Sequence, residues 1–386
     1  MMSATVIHAA VGHTAETLRT LCHARRTAVV FDHGVPGATE RVREVSPSLA
    51  LPLGSDRDAR GIGLLAERLR RHAPAVIVAV GGGTTIDAVK LAALACRDEA
   101  LFAYALRSAD QRALTLLPRA MSPAPQVIAV PTTTGTSSEV NSVAVVDTRG
   151  GRRLVVGDQL RPAHAVIDGE ALLSLPEAAV REGCLEALLR VAGRATGTRV
   201  ASAVAIDLAT ALARAGDDDL GGADTRLRAA QLGAATQSPA LGIPAAFSMK
   251  HWYLANEVSF VLQTRKIPAT AAVLPAVWGR IESGDDRWGR SEGLRSLWRP
   301  VADAIGLPHG PVDGIHALLH RWRIPIAPAP TSADITRIAE ATENAWGLGR
   351  PPLRGIDRAE ISRVLQDAVW ASRGPIGSRR EEVMTI

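Results

Sequence analysis

The sequence predicts an α/β domain built on a parallel sheet, followed by an all-α domain. Three observations support this. Between Arg26 and Asp168 short apolar runs alternate with helical stretches, two of those runs break into glycine-rich or threonine-rich turns, and from Pro176 onward the apolar spacing changes to 3.6 residues. A chain of 386 residues exceeds one core, and its 47% hydrophobic content suffices for two. The expected division is 1–172 and 173–386.

Strands are expected at Thr27–Asp32, Val76–Val80, Val127–Val130, Val143–Val146, Leu154–Val156 and Ala165–Ile167, and helices at Ala59–Arg71 and Ile86–Ala95. Five consecutive apolar residues at Val76–Val80 suit a strand buried on both faces of a parallel sheet. The turn at Arg149–Gly151 makes a hairpin of its flanking strands. In the second half, helical spacing covers Glu177–Arg194, Val200–Ala215, Thr225–Gln237, Leu294–Ile305 and Ala359–Ser372. Gly216–Asp224, Glu282–Asp286 and Pro325–Pro330 separate helices there, and the cleft between the two halves is the expected active site.

The two turns carry the chemistry. At Gly81, Gly82 and Gly83 the backbone N–H groups can approach a phosphate without Cβ hindrance, and Thr84 and Thr85 can cap the helix that follows. Asp87 and Lys90 lie three apart on that helix, where they can also bond each other. A glycine cluster by itself fits a ligand-free turn equally well. The second turn repeats the pattern, with Pro131 as the stop, Thr132, Thr133 and Thr134 as hydroxyl donors, Gly135 as hinge, and Thr136–Glu139 opening a helix. Four threonines in five positions offer more hydroxyls than capping requires. Together the turns point to a nucleotide. Asp32 ends the first core strand, where a carboxylate can accept both ribose hydroxyls and repel a 2′-phosphate.

Composition narrows the remaining classes. The net charge of +5 is spread evenly without an aromatic platform, which argues against nucleic acid. No apolar run reaches transmembrane length and no signal-peptide pattern opens the chain, so a soluble cytoplasmic protein with no membrane partner is expected. Cys22, Cys96 and Cys184 are scattered, as suits a reducing compartment. Only Lys90, Lys250 and Lys266 are lysines among 44 basic residues, which marks each as a candidate for a specific role.

GGGTTIDAVK at Gly81–Lys90 and PTTTGTSSE at Pro131–Glu139 resemble the hallmarks GGGSxxDxxK and PTTxGTxSE of the iron-containing alcohol dehydrogenase family, of the dehydroquinate synthase-like fold. The resemblance continues through Val29–Gly34, Ala165–Pro176, Leu241–Ile243 and Ala271–Val277. It implies a Rossmann-like NAD-binding domain, a helical domain that completes the active-site cleft, and an alcohol dehydrogenase-like activity on a hydroxyl or carbonyl. Asp32 matches the family's strand-terminal acid and implies NAD over NADP. Arg153 takes the place of a lysine that the family sets near the cofactor.

The helical half departs from the family, whose members hold a divalent metal with an Asp and a His four residues apart and two later histidines. Leu185 and Leu189 stand at the first two positions, or Glu186 and Arg190 if one residue is inserted, with Ala245 and Lys266 at the others. Arginine and protonated lysine donate no lone pair to iron or zinc, so no metal is expected. Glu186, which fits the GxxE spacing of the sister dehydroquinate synthases, and His251 are the donors left for any unusual metal site. Lys266 and Arg190 are instead candidates for stabilising charge on the reacting oxygen or for clamping an acidic small-molecule or peptide-like substrate. His251, two residues from a family histidine near the nicotinamide, is the candidate proton relay.

Three function classes follow: a metal-independent NAD oxidoreductase of a specialised biosynthetic pathway, a degenerate homologue serving as partner subunit of another enzyme, and a dehydroquinate synthase-type synthase. A homodimer or a complex with another pathway enzyme is the expected assembly.

Overall fold

Four of the six apolar runs predicted as strands lie in a parallel sheet of order β1-β9-β6-β4-β2-β3. Its members are β1 (Val6–Ala10), β2 (Thr27–Asp32), β3 (Leu49–Leu53), β4 (Val76–Gly81), β6 (Gln126–Pro131) and β9 (His164–Asp168). The computed structural model describes residues 4–37, 45–54, 58–118, 125–238, 241 and 248–372. Along the central strands successive residues serve opposite faces. Val30, Ile77, Ala79 and Ala129 pack on one side, and Val29, Val76, Val78, Ile128 and Val130 on the other. Both faces are covered, which is why these strands read as unbroken apolar runs. The edge strands β1 and β3 escaped the sequence reading because exposure breaks their pattern, and Pro52 is tolerated in β3 because an edge can forgo a ladder bond.

The predicted hairpin is present as β7 (Val143–Thr148) paired antiparallel with β8 (Gly151–Val156). It belongs to a second sheet, in which β8 also pairs with the short β5 (Leu114–Leu116). The helices are α1 (Thr14–Cys22), α2 (Ala59–His72), α3 (Gly83–Arg97), α4 (Glu99–Gln111), α5 (Glu177–Ala195), α6 (Ala203–Asp217) and α7 (Ala223–Ala235), then α8 (Lys250–Val261), α9 (Lys266–Glu282), α10 (Ser291–Ile305), α11 (Pro311–Arg321), α12 (Ser332–Trp346) and α13 (Arg358–Asp367). The helix expected through Ser372 stops at Asp367. Beyond it the backbone of Val369 bonds to Ala272 and that of Ala371 to Ala327.

Contacts divide the chain into Met1–Leu188 with Asp207–Gly242, and Leu189–Ile206 with Ile243–Ile386. The chain thus passes from unit to unit at three points rather than once at 172/173. α7 belongs with the sheet because Ala230 and Ala234 share a core with Val140, Ala165 and Ile167. Among the described residues no helix is long and apolar enough to cross a membrane.

Candidate nucleotide and catalytic site

The glycine and threonine turns meet because their strands are neighbours. Gly81 pairs with Pro131 across β4 and β6, and the Thr132 N–H donates to the Gly81 carbonyl at 3.0 Å. A Cβ on Gly82 would lie 3.1 Å from Thr133 Cγ2, and one on Gly83 2.9 Å from Thr136 Oγ1. These glycines are therefore required by turn-on-turn packing, whatever approaches the backbone from outside. On the other neighbour of β4, the pairing of Phe31 with Val80 brings Asp32 to the same end of the sheet. Asp32 Oδ1 accepts from the Gly34 N–H at 3.0 Å.

α3 starts at Gly83, not after Thr85, and its N-cap Gly82 gives it no side-chain cap. The capping role expected of Thr84 and Thr85 is thus corrected, since both lie inside the first turn. The first N–H groups of α3 are left for an outside acceptor, which fits a phosphate. Gly82, Gly83, Thr133 and Thr136 are half-buried and Thr84 is exposed, so these form the open part of the cradle. Thr85, Thr132 and Thr134 are enclosed, and among the described residues their hydroxyls find no partner. A Cβ on Gly81 would meet Thr85 Cβ at 2.7 Å, so Thr85 serves packing.

No helix opens at Thr136–Glu139. Ser137 takes φ +55°, its Oγ donates to the Gly233 carbonyl at 2.8 Å, and the chain turns into β7. Gly135, at φ +92°, lies against α5, where its added Cβ would be 2.5 Å from the Gly183 Cα. Gly183 in turn could not carry a Cβ without coming within 2.8 Å of the Thr134 carbonyl group. This glycine pair holds the threonine turn in place, a role that the sequence reading missed.

Asp87 and Lys90, expected at the cofactor and able to bond each other, are bonded to each other. Lys90 is 1% exposed, and its Nζ donates to Asp87 Oδ1 (3.3 Å), Asn141 Oδ1 (3.0 Å) and the Val143 carbonyl (2.9 Å), which uses all three protons. Asp87 Oδ2 accepts from the Val145 N–H at 3.0 Å. Burial pulls the Lys90 pKa down and pushes that of Asp87 up, while each partner's charge opposes the other's shift. The pair ties the first turns of α3 to β7. Arg153 also turns inward on its own hairpin, donating to the Gly150 carbonyl.

In the second unit the Lys266 charge acts on His251. Lys266 opens α9 with its Nζ 4.0 Å from the centroid of the Trp252 ring, a cation–π contact. His251 is buried in α8, and burial together with the Lys266 charge pushes its imidazole down to about 3. Trp252 and Tyr253 stand 6.3 and 4.8 Å from Trp346 of α12, centroid to centroid. The Trp346 Nε1–H donates to Glu257 Oε1 at 2.9 Å. In a chain of 3% aromatic residues this cluster was detectable only through the Trp252-Tyr253 pair. Arg190 is half-buried on α5, one turn before Arg194.

The positions aligned with metal ligands do not fit one. Leu185 and Leu189 are core residues, Lys266 is a cation over a ring, and Ala245 lies outside the described residues. Among the described residues no three His, Cys, Asp or Glu side chains converge, Glu186 and His251 included.

Residues 5–169 match the profile described as iron-containing alcohol dehydrogenase. The phosphonoacetaldehyde reductase of Streptomyces viridochromogenes is 35% identical over 159 residues, 40% of this chain and 38% of that protein. The 4-hydroxybutyrate dehydrogenase of Cupriavidus necator is 33% identical over 160 residues, 39% of this chain and 40% of that protein. The matched stretch is thus well under half the length of either relative. An iron-containing alcohol dehydrogenase from Thermococcus thioreducens shares the fold throughout, with TM-score 0.75 over 95% of this chain and 99% of that one, at 18% identity. Residues 5–169 thus carry the iron-containing alcohol dehydrogenase profile, and the fold is that of a solved iron-containing alcohol dehydrogenase.

Proposed function

We propose that the protein is an NAD-dependent oxidoreductase that interconverts a hydroxyl and a carbonyl, with Lys266 doing electrostatically what a metal does in relatives. The observation that carries this is the junction of β4 and β6, where an uncapped helix start faces outward beside glycine and threonine turns. Gly82, Gly83, Thr84, Thr133 and Thr136 would hold the cofactor phosphates, and Asp32 the adenosine ribose. The relatives' names, an aldehyde reductase and a hydroxyacid dehydrogenase, support alcohol–carbonyl chemistry.

When bound, the nicotinamide accepts or gives the hydride. The Lys266 ammonium, held over Trp252, stabilises negative charge on the reacting oxygen as a preorganised cation. His251 rests as neutral imidazole, which passes a proton by accepting at one ring nitrogen as it releases from the other. Arg190 adds positive charge nearby in sequence to a second arginine, Arg194.

Calorimetry with NADH and NADPH, followed by aldehyde reduction by the wild type and Lys266→Ala, tests the reading. NADH should bind more tightly, and Lys266→Ala should lower kcat by roughly 10²–10³ with NADH affinity nearly intact. Preference for NADPH would remove the role of Asp32. Tight NADH binding with no turnover of any aldehyde or alcohol would leave the partner-subunit reading in its place.

A further inference from the structure

The second unit holds a cavity of about 650 Å³, a size common among small-molecule sites, and neither the two turns nor Lys266 nor His251 lines it. Its walls are apolar. They are Ala271 and Pro275 of α9, Leu319 of α11, and Ile324, Ile326 and Val369. Pro275 has no N–H to give the Ala271 carbonyl one turn earlier, and this part of α9 is tied instead to its neighbours. The Val369 N–H donates to the Ala272 carbonyl at 3.0 Å, and the Ala327 N–H to the Pro268 carbonyl at 3.1 Å. These bonds hold the walls in place without a ligand.

Three donors stand at the edge of the cavity. His316 and His320 lie four apart on α11, beside Leu319, and Arg323 follows just past the end of the helix. All three are exposed, and among the described residues none of their side chains is in a hydrogen bond or an ion pair. Arg323 also takes an unfavourable backbone conformation. Its φ is +52°, its N–H donates to the His320 carbonyl at 3.0 Å, and the Ile324 N–H donates to the Leu319 carbonyl at 2.9 Å. That is the helix ending in which glycine is the usual residue. An arginine held there, with its side chain lining a cavity, is the kind of backbone outlier that gathers at ligand sites.

Apolar walls beneath a rim of N–H donors, with no carboxylate in the lining to answer the guanidinium, suit an acid carried on an apolar body. A divalent metal suits them less. Two imidazoles on one helix need further donors, Arg323 offers no lone pair, and among the described residues no Asp, Glu or Cys joins them. We propose that this cavity binds an alkyl or aryl carboxylate. The apolar body lies against Pro275, Leu319, Ile324 and Val369, and Arg323 receives the acid with His316 and His320 beside it. The site stands independently of the oxidoreductase reading.

Calorimetry on the whole chain tests this with hexanoate and phenylacetate, each against its neutral amide, and with zinc, in the wild type, Arg323→Asn and His320→Gln. Asparagine tolerates the left-handed backbone, so Arg323→Asn should melt like the wild type. At least one carboxylate should bind about 10-fold or more tightly than its amide, and Arg323→Asn should remove that preference. NADH should leave the binding unchanged. Absence of binding by both carboxylates at millimolar concentration, equal affinity for acid and amide, or a preference that survives in Arg323→Asn overturns the proposal. Displacement by NADH also overturns it, since the acid would then occupy the nucleotide turns. Zinc binding that His320→Gln abolishes, without carboxylate binding, would make the two histidines a metal pair and overturn it as well. Should Arg323→Asn melt well below the wild type, His320→Gln decides in its place, with a weaker carboxylate and an unchanged amide expected, and equal changes in both refuting the site.

Discussion

Removing the Lys90 ammonium should cost stability far more than it costs cofactor affinity. In Lys90→Met the neighbouring groups lose a donor at 3.3, 3.0 and 2.9 Å, but not equally. Asn141 Oδ1 keeps the Val143 N–H at 3.0 Å, so its loss is minor. Asp87, 5% exposed, is left as a buried carboxylate with the Val145 N–H and the Ser138 hydroxyl as its main support. Breaking one side of such a pair costs roughly 3–5 kcal/mol, which lowers Tm by roughly 10 °C in a domain of this size. The double variant Asp87→Asn with Lys90→Met removes the stranded charge and should recover about 2 kcal/mol of that loss. Urea denaturation of the wild type, both single variants and the double variant gives the coupling energy, and NADH titration of each gives the affinity. If Lys90→Met melts like the wild type and loses NADH affinity instead, Lys90 contacts the phosphates and the closed network is wrong.

Gly183→Ala should destabilise by about 1–3 kcal/mol and weaken NADH binding, because its Cβ displaces the threonine turn, whereas Gly279→Ala, whose Cβ meets nothing within 4 Å, should stabilise α9 by roughly 0.5–1 kcal/mol; urea midpoints distinguish them. Asp168 accepts from the Gly12 and Glu170 N–H groups and from Thr14 N and Oγ1, and although burial opposes it, these donors hold its carboxyl below the usual range. Its stabilisation is therefore complete above the unfolded pKa of about 3.9 and lost as pH falls through the lower folded value, so Asp168→Asn should cost about 1.5–3 kcal/mol at pH 7 and progressively less in acid, measured by denaturation across pH. Because His251 sits near 3, the pH profile of kcat/KM should show no limb from it between pH 5 and 8, and a His251→Ala variant that abolishes such a limb would contradict its neutral state. Dialysis against phenanthroline and EDTA should leave turnover and NADH affinity unchanged, and a loss restored by added zinc or iron would reveal a donor set beyond the described residues.

What the sequence determined by itself was everything that depends on neighbours along the chain. Unbroken apolar runs marked the doubly covered strands, because period and burial are written locally, and the two turns marked the end of the sheet where glycines and threonines pack together. Lys266 and His251 were singled out by their spacing from family landmarks, and the Lys266 charge acts on the His251 imidazole. Only the tertiary structure decided which groups have spare bonding capacity. Lys90 was expected at the cofactor or bonded to Asp87, and only the fold showed that Asn141 and Val143, 51 and 53 residues away, take its other two protons. The helix expected after Gly135 yielded to a turn at Ser137 held by the Gly233 carbonyl, and Thr85 turned out to fill the space above Gly81. Pairings of this kind form across long loops between elements whose sequences do not mention one another, and the sheet topology selects them after the local pattern has been spent.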